Sequence, residues 1–396
     1  MTGAPTVGRH GRDRESLAGR DRRAKAAAMS LFDPSVCPRL IVKVGSALLI
    51  GPDGSVRRPW LAQLVADIAE RIHAGQQVAV VSSGAIALGA RRLALPKGGR
   101  ACLEDAQAAA AVGQIALASL WAEMLAGEGL TAAQMLVTLD DLEDRRRYLN
   151  ASATLARLLG LGVVPVLNEN DSVATAEIRF GDNDRLAARV AQAAGAQGVL
   201  LLSDIDGLYD RNPALPGAVH IPRVERIDAG IEAMADTGSA SGMGSGGMVS
   251  KIAAARIAAA AGCHLAIASG RADRPLATEA RHTLFVAEKS AGARKAWLAG
   301  GLTARGTLHV DAGAARALGG GASLLAAGVT AVEGQFGRGD LVAITGPDGR
   351  PLARGLAEYD SVDALRLIGR RSDEQAAILG YAPRSALVHR DHLALL

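Results

Sequence analysis

Residues 242 to 251 read GMGSGGMVSK and run directly into the alanine-rich IAAARIAAAAG. Glycines let a backbone approach a ligand closely, and a lysine at the start of a helical run can meet a phosphate. The order is not that of a Walker A loop, which needs the lysine directly after a glycine and a hydroxyl directly after the lysine. Here Lys251 follows Ser250 and precedes Ile252, so any phosphate chemistry must use another arrangement.

Five further places carry polar residues where apolar runs end. Lys43 sits inside LIVKVG (40 to 45) and is followed by a glycine and a hydroxyl. Burying a lysine in a core strand is costly unless it meets a counter-charge, and a strand-edge lysine that snorkels to water is the alternative. Taken with Lys251, it gives two cations that could flank a transferring phosphoryl group and offset its charge. SSGAIALG (82 to 89) puts Ser82, Ser83 and Gly84 between a strand and a helix, where free amides bind anions and where serine also serves as an ordinary cap. NEND (168 to 171) and GDND (181 to 184) read either as turns and caps or as the lining of a polar substrate pocket. SDIDGLYDRNP (203 to 213) is the last. Its acids and those of the two clusters are few and diluted with amides, so magnesium would be held by phosphates and water rather than by a protein cage. The histidines are scattered, and the spacing of His389 and His392 carries no signal.

The elements that must position these residues follow a simple alternation. LIVKVG, QVAVVSSG (77 to 84), AAQMLVT (132 to 138), GVVPVLNEND (162 to 171), QGVLLLSD (197 to 204) and CHLAIASG (263 to 270) read as strands. Stretches of helical period separate them, as in the recurrence of Leu61, Leu64, Val65, Ile68 and Ile72. Continuous apolar strands joined by helices predict an α/β fold with a mainly parallel sheet covered on both faces, its ligands beyond the C-terminal ends of the strands. From about residue 300 the texture turns to glycine-rich turns and short β segments, which predicts a small separate β-rich domain.

Composition narrows the function classes. The 396 residues carry a formal charge of +4, and residues 1 to 28 hold seven Lys/Arg against three acids, which is the whole imbalance. This basic leader, taken as 1 to 36, is expected to be disordered, and Met29 is an alternative start. Cys37, Cys102 and Cys263 are odd in number and far apart, which predicts neither a disulfide framework nor a zinc site. No apolar run is expected to span a membrane and no secretory h-region is seen, so a cytoplasmic location without membrane contact is expected.

With these segments in view, the chain resembles the amino acid kinase family. IVKVGSALL, VVSSGAIALG, PVLNENDSVAT, IRFGDNDRLAARVA, LLSDIDGLYDRNP and GMGSGGMVSKIAAAR are similar to its motifs in order. LHVDAGAARAL, SLLAAGVTAVEGQFGRGDLVAI and ARGLAEY resemble a PUA domain fused to some members. The resemblance implies a three-layer sandwich over residues 37 to 300, a PUA-like domain over 306 to 396, and transfer of the γ-phosphate of ATP to the side-chain carboxylate of L-glutamate for proline biosynthesis. It also implies roles: Lys43 and Lys251 as charge-balancing lysines oriented by Asp184; Ser83, Asp171 and Asn183 on glutamate, with Asp182 beside it. Ser203, Asp204, Ser245, Gly246, Gly247, Met248, Val249, Ser250 and Lys251 are expected on ATP. Ser203 stands where threonine is expected, with the hydroxyl kept. A homo-oligomer and feedback inhibition by proline are further implications. A related kinase acting on acetylglutamate, aspartate or carbamate is one rival. RNA binding through the PUA-like domain is the other, although residues 306 to 396 hold nine Arg and no Lys against ten acids, a poor balance for gripping a phosphate backbone.

Overall fold

The computed structural model describes residues 30–173, 182–236, 247–276, 281–288 and 304–396. Of the basic leader taken as 1 to 36, residues 1 to 29 lie outside the described residues, as do Ser245 and Gly246, but residues 30 to 36 are placed and Phe32 is buried in the core, so the folded part begins earlier than expected. The chain divides into two compact units. One runs to Leu142 and resumes over Ala151–Ala287; the other comprises Glu143–Asn150 and the chain from Glu288.

In the first unit the apolar runs form β1 (Arg39–Val44), β2 (Gln77–Ser82), β3 (Ala132–Val137), β4 (Val164–Glu169) and β5 (Gly198–Ser203). The short pieces β6 (Leu208–Tyr209), β7 (His220–Ile221) and β8 (Arg223–Val224) precede β9 (His264–Ser269) and β10 (His282–Phe285). Eight strands make one sheet in the order β3-β4-β2-β1-β5-β9-β10-β8, and β6 and β7 pair separately. All pairings from β3 to β9 are parallel, and β10 runs antiparallel to β9. The chain moves from β1 to β2 on one side and later returns to β5 on the other, so β1 marks a topological switch point. Open α/β sheets bind ligands in the crevice at the strand ends there.

The alternation of side chains along β1 decides what faces what. Leu40, Val42 and Val44 join one core with Trp60, Leu61, Leu64 and Ile68 of α1 (Arg58–His73). After α2 (Ala85–Arg92) comes α3 (Leu103–Gly127), which adds Leu117, Leu120, Trp121 and Leu125 to that core. The opposite face lies under α4 (Asp182–Ala194) and α5 (Met248–Ala260), whose Ala187, Ala191, Ala255 and Ala258 are buried. Ile41 and Lys43 point to that second face. The sheet is thus sandwiched, and the one charged side chain within β1's interior points toward the helices that carry the 181–184 and 247–251 segments.

Two glycines fix how α2 and α3 cross. A Cβ on Gly89 would lie 1.8 Å from the Ala109 carbonyl oxygen, and one on Gly113 would lie 1.8 Å from that of Ala85. The two backbones are therefore in direct contact. The helix α3 also amends the expectation about membrane-length segments, because it is long and apolar enough to cross a membrane by length and composition. Alanines between the larger residues raise its hydropathy, while Leu117, Trp121 and Leu125 are spent on the core. Cys37 and Cys263 are buried and Cys102 is exposed. Burial pushes the Cys37 thiol up to about 12 and raises that of Cys263 strongly. Cys102 caps α3, its sulfur accepting from the Asp105 amide at 3.4 Å.

The second unit contains a five-stranded sheet in the order β12-β11-β13-β14-β15, with β11 (Gly306–Val310), β12 (Val329–Gly334), β13 (Leu341–Thr345), β14 (Pro351–Leu356) and β15 (Leu393–Leu395). It has its own core, including Leu308, Phe336, Val342, Ile344, Tyr359 and Leu367. Glu358 is enclosed there by Arg338 at 3.5 Å, Arg384 at 3.7 Å and His392 at 3.4 Å.

Candidate active site

Three residues far apart in sequence meet beyond the centre of the sheet. Asp184, in the first turn of α4, is fully buried. One of its oxygens, Oδ1, lies 2.6 Å from Nζ of Lys43, and Oδ2 lies 3.0 Å from Nζ of Lys251. Both lysines are also buried. Lys43 arrives from β1, and Lys251 from the first turn of α5 rather than from a second strand. Burial lowers the Lys43 ammonium below its ordinary value against the pull of Asp184, and the nearby Lys251 charge adds to the lowering. Burial alone would raise the Asp184 carboxyl, but the two lysines outweigh it and hold it below the usual range. Among these three groups one carboxylate faces two ammonium groups where water is largely excluded, while Asp204 also acts on Lys43. Such a place is prepared for an anion.

On the β2 side, the strand ends at Ser82, whose hydroxyl accepts from the Trp121 indole at 2.9 Å. Ser83 follows, half-buried, its amide donating to the Val44 carbonyl at 3.2 Å. Gly84 then turns the chain into α2 with φ of +114°, a left-handed conformation that favours glycine. The Ser83 hydroxyl accepts from Nδ2 of Asn183 at 2.9 Å, and the same nitrogen lies 3.2 Å from Oδ1 of Asn168. Asn168, almost fully buried at the end of β4, donates from its own Nδ2 to Oε1 of Gln114 on α3 at 2.8 Å. Asp171 lies in the turn after β4, half-buried, and interacts electrostatically with Arg100. Asp182 opens α4.

Beyond β5, Ser203 is buried and its hydroxyl donates to the exposed Asp204 at 3.1 Å. Gly247 is the N-cap of α5, exposed, and among the described residues a side chain there would meet nothing within 4 Å. Met248, Val249 and Ser250 form the first turn of α5, ahead of Lys251.

The structure therefore brings Lys43, Asp184 and Lys251 together and links Ser83 to Asn183. Sequence reasoning passed over Asn168, although it stands in the quoted NEND, and missed Gln114, which lies in an alanine-rich helix with no local motif. A polar residue at the end of a buried strand was the available signal for the first; none existed for the second.

Residues 38–269 match the model of the amino acid kinase family. The chain belongs to the amino acid kinase family. Residues 306–379 match the PUA domain. Among curated amino acid kinases, the chain is 78% identical over 368 residues to the glutamate 5-kinase of Sphingopyxis alaskensis, covering 93% of this chain and 100% of that one. It is 65% identical to the glutamate 5-kinase of Novosphingobium aromaticivorans, over 92% of this chain and 98% of the relative. The enzyme of the same name from Zymomonas mobilis is 60% identical, over 93% and 94% respectively.

Proposed function

We propose that this amino acid kinase phosphorylates the side-chain carboxylate of L-glutamate with ATP, giving L-glutamyl 5-phosphate, the first step of proline biosynthesis. The observation that carries the reading is the buried Asp184 carboxylate held between the Lys43 and Lys251 ammonium groups. A carboxylate oxygen of glutamate attacks the γ-phosphorus, the bond from that phosphorus to the β,γ-bridging oxygen breaks, and ADP leaves. A carboxylate is already ionised near neutrality, so no general base is required and the protein's tasks are alignment and charge neutralisation. Lys43 and Lys251 lie on the phosphates, and Asp184 holds both lysines in place through its two oxygens.

Ser83, Asn183 and Asp171 hold glutamate, with Asp182 beside it, and Ser203, Asp204 and the stretch from Ser245 to Lys251 hold ATP. Both Asp184 oxygens are taken by lysines, which fits a magnesium ion carried by the nucleotide phosphates. Bound there, it would neutralise phosphate charge. The kinase part spans residues 37 to 300 and the PUA-like part 306 to 396, in a cytoplasmic protein. A homo-oligomer is expected on the family resemblance. Proline is read as a competitor at the glutamate pocket, and unchanged turnover at saturating proline would remove it. RNA binding is not favoured, given the acid balance of residues 306 to 396.

The test is ADP release from Mg-ATP with L-glutamate, N-acetyl-L-glutamate or L-aspartate, with hydroxylamine present to trap an acyl phosphate. Glutamate-dependent turnover with hydroxamate formation is expected. Turnover that no amino acid stimulates would overturn the reading.

A further inference from the structure

Among the described residues, Oδ1 of Asn183 is buried and accepts no hydrogen bond. The reason lies in how the rest of that amide is used. Its Nδ2 already donates to Ser83 and to Asn168 Oδ1, and Asn168 can offer that oxygen only because its own Nδ2 is turned toward Gln114 Oε1. Three amides thus point head to tail. A carboxamide is nearly symmetric in shape, and reversing it exchanges an acceptor for two donors. If the first member were reversed, each amide downstream would follow, and Asn183 would turn a donor outward.

Gln114 is brought to the chain's far end by the crossing of α2 and α3. Gly113 lies against the Ala85 carbonyl, at the start of the helix that Ser83 and Gly84 lead into. The next residue on α3 is therefore held at the level of the Ser83 turn. The geometry points to Gln114 as a positioning residue that sets the polarity of the Gln114–Asn168–Asn183 amide relay, so that Asn183 presents an acceptor to the ammonium group of an amino-acid substrate.

This inference rests on the proposed binding of glutamate at Asn183 and deepens it. An outward acceptor suits a primary ammonium, whereas an outward donor would not. Gln114→Glu keeps the relay's direction, because a carboxylate can only accept. Gln114→Met keeps length and flexibility but has no comparable acceptor, leaving Asn168 free to reverse.

The experiment measures KM for L-glutamate, KM for ATP and kcat in the full chain and in both variants, with a thermal midpoint for each. Gln114→Met is expected to raise KM for glutamate roughly tenfold, the worth of one hydrogen bond to a charged group. KM for ATP stays within twofold, roughly, and Gln114→Glu restores the glutamate value. If wild-type protein shows glutamate turnover and Gln114→Met leaves KM unchanged, the relay is refuted while the function stands. A rise in both KM values that Gln114→Glu does not rescue would make Gln114 merely structural and also refute it. If the wild type shows no glutamate-dependent turnover, the functional reading falls and the relay falls with it.

Discussion

Replacing Asp184 with asparagine keeps the shape of the side chain and removes the charge between two buried ammonium groups. At 2.6 and 3.0 Å, each pair would attract by roughly 5–6 kcal/mol at an effective dielectric of about 20. Desolvation cancels much of this, and loss of one partner from a buried ion pair costs about 3–5 kcal/mol. With a urea slope of about 2–3 kcal/mol/M, the unfolding midpoint should fall by more than about 1 M at pH 7. The loss should also depend on pH. Burial already lowers Lys43, and without Asp184 it is lowered further, so the folded variant releases a proton that the unfolded chain keeps up to about pH 10.4. Where the unfolded state binds more protons, stability rises with pH, so the gap between variant and wild type narrows from pH 7 to pH 10. In the wild type the slope at the acid end has the same sign. Asp184 is held low, so its contribution is present above the ordinary carboxylate range and is lost as pH falls through its folded value. Urea titrations at the two pH values check this, and a variant with the wild-type midpoint, or a deficit that does not shrink at pH 10, would refute the charge argument.

Lys251→Met should lower kcat about a hundred- to a thousandfold, as loss of a transition-state charge partner does, while the Lys43–Asp184 pair remains and the fold survives; turnover and circular dichroism decide it. Gly113→Ala forces a methyl toward a carbonyl oxygen 1.8 Å away, so the thermal midpoint should drop by the equivalent of at least about 2 kcal/mol, and an unchanged midpoint would show that the helices can part freely. Burial would raise Glu358, yet His392, Arg338 and Arg384 hold it low. Its stabilisation is therefore present above the ordinary glutamate range and lost as pH falls through its folded value, and Glu358→Gln should flatten the acid limb of stability measured by denaturation between about pH 6 and pH 3.

Much of the sheet was legible because β1, β2, β4 and β5 are continuous apolar runs of the length that a doubly covered strand needs. Lys43 stood out because a charge interrupts such a run. Its partner could not be read in the same way. Asp182 and Asp184 share one short acidic segment, and only the path of α4 shows that the second faces inward to both lysines. The crossing of α2 and α3 left little trace, since Gly89 and Gly113 sit among alanines that obscure any periodic stripe. Gln114 is polar in a helix of apolar composition, and nothing local distinguishes it from a surface residue until Asn168 is placed opposite.

The three cysteines also have a practical consequence. Two thiols are sealed in the core and one caps a helix in the open, so a maleimide dye would attach at a single address without any mutation. That address is two residues from Arg100, whose charge is coupled to Asp171. A fluorophore on Cys102 would sit near the turn that carries Asp171, and under the proposed reading its emission should change when L-glutamate is added.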